Sequence, residues 1–224
     1  MKDTESGDRS AAGTRLLLTC GVIAGPLFTI VWFIAGAARA HYDPMRHPIS
    51  SLAIGDFGWT QAGNFIVTGL LTLAFAVGLH RALRPGSTRW GALLIGACAI
   101  GLLGAGAFVA DPRSGYPPGT PATPQAYSTV PGTLHDLFSS LVFFGLPIAC
   151  FVFARLFSRW GERSWSRYSV GTGVTFLLMF ILTSVGFAQV EGLVDVAGLL
   201  QRITLTVGWA WLTALAIRML RVTS

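Results

Sequence analysis

RLLLTCGVIAGPLFTIVWFIAGAA, residues 15–38, decides the fold. After Arg15 the stretch carries no charged side chain. As a helix rising 1.5 Å per residue it would reach about 35 Å, enough to cross a hydrocarbon core of about 30 Å. Ala38-Arg39-Ala40 resembles a secretory cleavage site. The apolar run before it, however, is much longer than the ~7–15 residues of a signal core. The stretch therefore reads as a retained membrane span. Apolar runs of similar length recur, and they place further spans at 59–83, 90–110, 133–156, 168–189 and 198–220. The expected fold is all-α. It is a six-transmembrane-helix bundle forming one domain over residues 15–220, behind a disordered cytoplasmic tail, 1–14.

Composition agrees. The chain is 52% hydrophobic and only 12% charged, with a mean hydropathy of +0.60, whereas soluble domains carry about 25% charged residues. In such a chain the excess of 16 Lys+Arg over 10 Asp+Glu speaks of topology and not of nucleic acid. Twelve of the sixteen basic residues fall in the tails and loops at one end of the spans: Lys2, Arg9, Arg15, then Arg81, Arg84, Arg89, then Arg155, Arg159, Arg163, Arg167, then Arg218 and Arg221. By the positive-inside tendency this end, with both termini, faces the cytoplasm. Lys2 is the sole lysine, and with the abundant Gly and Ala this suggests a GC-rich bacterial genome and a multi-pass protein of the cytoplasmic membrane. Cys20, Cys98 and Cys150 lie far apart in apolar runs and read as small buried hydrophobes.

The other end holds two long outer loops, 39–58 and 111–132, and a short acidic turn at 190–197. Six acids (Asp43, Asp56, Asp111, Asp136, Glu191, Asp195) and three of the four histidines (His41, His47, His135) gather there. Ionisable groups at membrane depth are functional candidates by default. Asp111, Asp136, Glu191, His135 and His47 are therefore the candidate acids and bases. Gln61, Asn64 and Thr68 share a face of the second span at i, i+3 and i+7. Arg202, Thr206 and Trp209 share one on the sixth at i, i+4 and i+7. Together these stripes are expected to wall a pocket opening outward, with Arg46, Gln61, Asn64, Arg202 and Trp209 binding substrate. Structural roles stand beside each: Asp136 as a helix cap, Arg202 pairing with Glu191 or Asp195, Gln61 and Asn64 as glue between helices. Ala97, Gly101 and Ala105, with Gly171 in the fifth span, are expected to mark close helix packing.

The segment DPMRHPISSLAIGDFGWTQAGNF (43–65), followed by TGLL, resembles the signature of a bacterial membrane family catalogued as domain of unknown function 998. ADP at 110–112, GTLHDL at 132–137 and LLQR at 199–202 are similar to that family too. The resemblance covers nearly the whole chain. It implies a six-helix integral membrane fold and transfers no activity to any residue.

Two functions are expected from these residues. The first is a membrane-embedded acid–base enzyme acting on a membrane lipid or prenylated small molecule, in its sharpest form a protonation-initiated prenyl-chain cyclase. Buried carboxyls would be the acid, and deep aromatics would steady carbocations. In size and helical content alone the chain resembles integral membrane terpene cyclases. No cofactor is expected. Zinc on His47, Asp111, His135 and Glu191 stays open, because the residue types suit it although their spacing does not, and magnesium stays open as well. The second function is non-catalytic: lipid binding, sensing or assembly.

Overall fold

A computed structural model describes residues 2–83, 89–123 and 128–223, leaving the side chains of 2–10 aside. Arg84, the side chains of Lys2 and Arg9, and residues 124–127 of the second long loop lie outside the described residues. Six helices make up the fold: α1 (Lys2–Ala38), α2 (Gly58–Ala82), α3 (Arg89–Ala107), α4 (Val130–Arg159), α5 (Arg163–Phe187) and α6 (Ala197–Val222). Short 3₁₀ turns at Ile49–Ala53 and Val194–Val196 break the α1–α2 and α5–α6 connections.

All six helices are long and apolar enough to cross a membrane. The shortest, α3, has 19 residues and spans about 28 Å. Helices are the natural answer here, since hydrocarbon offers no partner for backbone N–H and C=O groups. Residues 2–14 continue α1, because extending an existing helix adds one hydrogen bond per residue with no new nucleation step.

Each helix packs on its neighbours in chain order, and α6 returns to α1. The six spans thus close into a ring whose cross-ring approach is slight, between α2 and α6. Small residues bring the ring's members together. A Cβ at Gly101 would stand 2.6 Å from the Phe138 carbonyl oxygen, and one at Gly104 would strike the Phe138 ring. Gly101 thus marks the α3–α4 contact as expected. Gly171 does not mark one: it is exposed, with nothing near its Cβ position.

At the end that carries the termini, the ring's interior is filled. Phe75, Phe153, Phe157 and Trp211 are fully buried there. The Trp211 indole N–H donates to Ser169 Oγ at 3.0 Å, which settles its one polar atom in an apolar setting. Arg218 pairs with Glu162 and lies over the rings of Phe157 and Trp165. The opposite end is built differently, and the candidate site is found there.

Candidate functional site: a capped cavity inside the ring

Residues 39–57 form a folded cap over the ring. Any backbone placed at the membrane edge must find partners within the protein, and α6 supplies them. The Ile49 amide donates to Gln201 Oε1 at 2.8 Å. The Leu199 amide, near the N-terminus of α6, donates to the Met45 carbonyl at 2.9 Å. Arg202 is buried and donates to the carbonyls of His47 (3.1 Å) and Gly198 (2.8 Å) and to the Tyr42 hydroxyl. Its guanidinium also lies 5.2 Å from the centre of the Trp32 ring and 5.5 Å from that of Tyr42. The Tyr42 hydroxyl in turn donates to the Pro48 carbonyl at 2.9 Å. Burial pushes the Tyr42 phenol up to about 12, against the pull of Arg202, so its proton stays available for that bond.

His47 belongs to the cap. Its Nδ1 accepts from the Asp43 amide at 2.9 Å, and its ring packs against Tyr42 and Tyr116. Burial above all holds its imidazole below the ordinary 6.5. Arg46 and Arg202 add to that, while Asp43 and the Ser114 carbonyl oppose it.

Beneath the cap lies a cavity of about 460 Å³. Pro48, Ile49 and Ser50 roof it, and all six helices contribute to its wall. Most of that wall is aromatic or aliphatic. Trp209 packs on Phe28 (5.3 Å between ring centres), Phe28 on Phe65 (5.7 Å), and Phe65 edge-on to His135 (6.0 Å). On the α4–α5 side, Phe143 stacks on Phe180 at 4.6 Å. The polar groups of the wall are His135, Gln201, Ser139, Ser140, Thr183, Ser184 and the Arg113–Asp136 pair, whose Nη2 and Oδ2 are 2.9 Å apart.

His135 has a defined orientation. Its Nδ1 is 3.0 Å from the Ala105 carbonyl and 2.9 Å from that of Phe108. Both are acceptors at the end of α3, where the helix leaves carbonyls without an intrahelical partner. Nδ1 must therefore carry the hydrogen. In the neutral ring, Nε2 is then a bare acceptor, and it has no partner among the described residues. The two sides of the imidazole are thus divided, one capping a helix and the other belonging to the cavity.

Of the ten residues expected to form the site, His135, Asp136 and Trp209 line this cavity and seven do not. Asp111 accepts from the amide (3.0 Å) and hydroxyl (2.6 Å) of Thr129, which itself caps α4 by accepting from the Gly132 amide. Glu191 is exposed in the α5–α6 turn. Arg46 pairs with Asp195 at 3.5 Å, and His47 and Arg202 serve the cap. Gln61 and Asn64 are buried between helices: Asn64 Nδ2 donates to the Phe28 carbonyl at 3.1 Å and to Gln61 Oε1 at 3.3 Å. The expected convergence of acids does not occur, because most of these groups are engaged in capping and docking. Nor do His47, Asp111, His135 and Glu191 assemble: no group of three His, Cys, Asp or Glu suited to a metal ion is found among the described residues. On α6, Thr206 is exposed. The face that meets the cavity is Gln201, Leu205 and Trp209, turned from the expected stripe because the helix buries its Gln201 side against the cap.

Ser139, Thr183 and Ser184 escape a sequence reading that sorts ionisable groups. Their signal is nonetheless present. His135, Ser139 and Val142 recur at i, i+4 and i+7, and Phe180, Thr183, Ser184 and Phe187 at i, i+3, i+4 and i+7, each a single helix face.

A ring of six helices long and apolar enough to span a membrane, around a capped cavity, defines a multi-pass membrane protein. Residues 22–218 match the family model described as "Protein of unknown function (DUF998)", and the chain belongs to that family. No curated protein and no solved structure matches it.

Proposed function

We propose that the protein holds a lipid-like or isoprenoid molecule within the ring, its chain against the aromatic wall and its polar end at His135 and Gln201. The observation that carries this reading is the cavity itself. It measures about 460 Å³, within the 300–1,000 Å³ range of small-molecule sites, and has the usual make-up of apolar walls with a few convergent polar groups. The positive-inside asymmetry turns the capped end away from the cytoplasm. The test is native mass spectrometry of the protein purified in mild detergent, with lipid extraction in parallel. One amphiphile retained per chain is expected. Ser139→Phe, which adds a ring to the wall, should reduce retention at least fivefold with thermal stability unchanged. A wild-type protein that retains nothing, and is not stabilised by any added prenol or fatty alcohol, would end the proposal.

Acid–base turnover of the held molecule is the second reading, and one observation favours it. His135 has one ring nitrogen fixed as a donor to backbone, which leaves the other free as a base. Protonation-initiated cyclisation has weaker support. Asp136, the one carboxylate among the described lining residues, is ion-paired with Arg113, so a proton on it would break that pair. Product analysis after incubation with prenols checks this reading. His135→Gln should abolish any conversion, and conversion that survives it would remove His135 as the base.

A further inference from the structure

We infer that the cavity selects an uncharged amphiphile, one whose polar end is a hydroxyl or carbonyl oxygen, and excludes phosphate and carboxylate head groups. The inference rests on the reading above, that an amphiphile occupies the cavity, and adds the chemistry of its head.

The wall's polar groups suit a neutral partner. The amide of Gln201 is oriented by the bond from the Ile49 N–H to its Oε1, so its Nε2 presents N–H donors with no partner among the described residues. His135 presents Nε2 as an acceptor. Thr183 Oγ1 and Trp209 Nε1 also lack a partner among the described residues, but both atoms are buried away from the cavity space. The two groups that face the cavity, on His135 and Gln201, come from α4 and α6. Unpaired polar atoms are unfavourable in so apolar a setting, and a donor and an acceptor facing one cavity call for a ligand that both donates and accepts. A hydroxyl does both, and a carbonyl accepts.

No unpaired cation is found among the described lining residues. Arg113, the one cation among the described lining residues, is neutralised by Asp136. The other guanidiniums of this end do not line the cavity: Arg39 donates to the carbonyls of Ile54 and Leu52, Arg46 pairs with Asp195, and Arg202 holds the cap. Helix N-termini, the other ready anion sites of a fold, are filled as well. That of α4 has Thr129 as its cap with the Asp111 carboxylate behind it. That of α6 is covered by the 44–47 backbone, whose Met45 carbonyl takes the Leu199 amide. At α2 the Gly58 amide is taken by the Gly55 carbonyl. A phosphate or carboxylate head would be desolvated without a counter-charge, a state proteins avoid.

The test compares three probes of equal chain on the full protein in detergent micelles: geranylgeraniol, its monophosphate and the parent hydrocarbon. Competition against a fluorescent prenol reads the affinity. The alcohol is expected to bind at least tenfold tighter than the monophosphate and at least threefold tighter than the hydrocarbon. Asp136→Asn, at an exposed position, frees Arg113. It should raise monophosphate affinity relative to that of the alcohol at least fivefold. A wild-type protein that binds the monophosphate as tightly as the alcohol overturns this inference and leaves the amphiphile reading standing. So does an Asp136→Asn variant with unchanged selectivity. If none of the three probes binds, the amphiphile reading itself falls, and this inference with it.

Discussion

Replacing Arg202 with methionine keeps the length and apolar stem of the side chain and removes its fork of donors. The His47 carbonyl loses its closest hydrogen-bond donor, and the Tyr42 hydroxyl loses one as well. The Gly198 carbonyl loses little, since it lies within α6 and keeps its place in the helical ladder. Each buried acceptor left unpaired costs about 1–3 kcal/mol, and loss of the guanidinium over Trp32 and Tyr42 removes about 0.5–2 kcal/mol more. Relief from burying a cation with no carboxylate partner offsets part of this. The net effect is about 2–4 kcal/mol against docking of the cap. The helical ring should stay closed, so the effect is a local opening and amide exchange is the assay. The Ile49 and Leu199 amides report directly, because each bonds across the cap–α6 junction. At about 1.4 kcal/mol per tenfold, both should exchange about 30- to 700-fold faster in Arg202→Met, with the amides of α2 and α3 unchanged. Arg202→Lys, which keeps the charge but loses the planar fork, should fall between the two. Exchange within threefold of wild type at both amides would refute the clasp and shift cap docking onto Gln201 alone.

Three further expectations follow from the same geometry. Asp111→Ala strands the Thr129 amide and hydroxyl, so it should lower stability in detergent by about 1–2 kcal/mol with ligand retention unchanged; lost retention or turnover in a folded variant would return Asp111 to the site. Gly101→Val drives a side chain against the Phe138 carbonyl, which has no freedom to move aside, and should cost about 2–3 kcal/mol by denaturant-induced unfolding; Gly171→Ala, where the Cβ position is open, should be neutral or gain up to about 1 kcal/mol from helix propensity, and equal effects at the two sites would contradict the packing described. His47 titrates below its ordinary 6.5 in the docked cap, so at pH values between the two the undocked loop binds more protons than the docked one; docking is therefore complete above about 6.5 and weakens as pH falls below it. The Asp43 amide, which donates to His47 Nδ1, should lose protection over that window after correction for intrinsic exchange, and His47→Gln should flatten the dependence; a wild type whose protection is independent of pH would count against it.

The spans are legible because hydrocarbon thickness fixes their length and because water-free surroundings leave helices as the natural form. The expected 59–83 and the observed Gly58–Ala82 differ by one residue at each end. The 133–156 reading falls short of Val130–Arg159, since α4 starts on a Thr129 cap in a loop that composition marks only as irregular. The ring is not legible. Hydropathy tells that a helix is in the membrane, whereas closure of α6 on α1 depends on which glycines meet which side chains, and Gly101 and Gly171 look alike in the sequence.

The site is legible in part, and the reason lies in competition for polar partners. Polar residues at a membrane edge attract attention as chemistry, but the same residues are the readiest way to satisfy an irregular backbone where water is scarce. Arg202, Asp111 and Gln61 look like site residues; the cap, the start of α4 and Asn64 claim them instead. Gln201 shows how close the two fates are, since its Oε1 holds the Ile49 amide while its Nε2 remains for the cavity. His135 divides in the same way between the end of α3 and the chamber. A candidate site in such a fold is therefore found by subtraction. Every donor and acceptor that the backbone has taken is removed, and what remains around the cavity, unclaimed atoms of His135 and Gln201 on two helices, sets the chemistry open to a ligand.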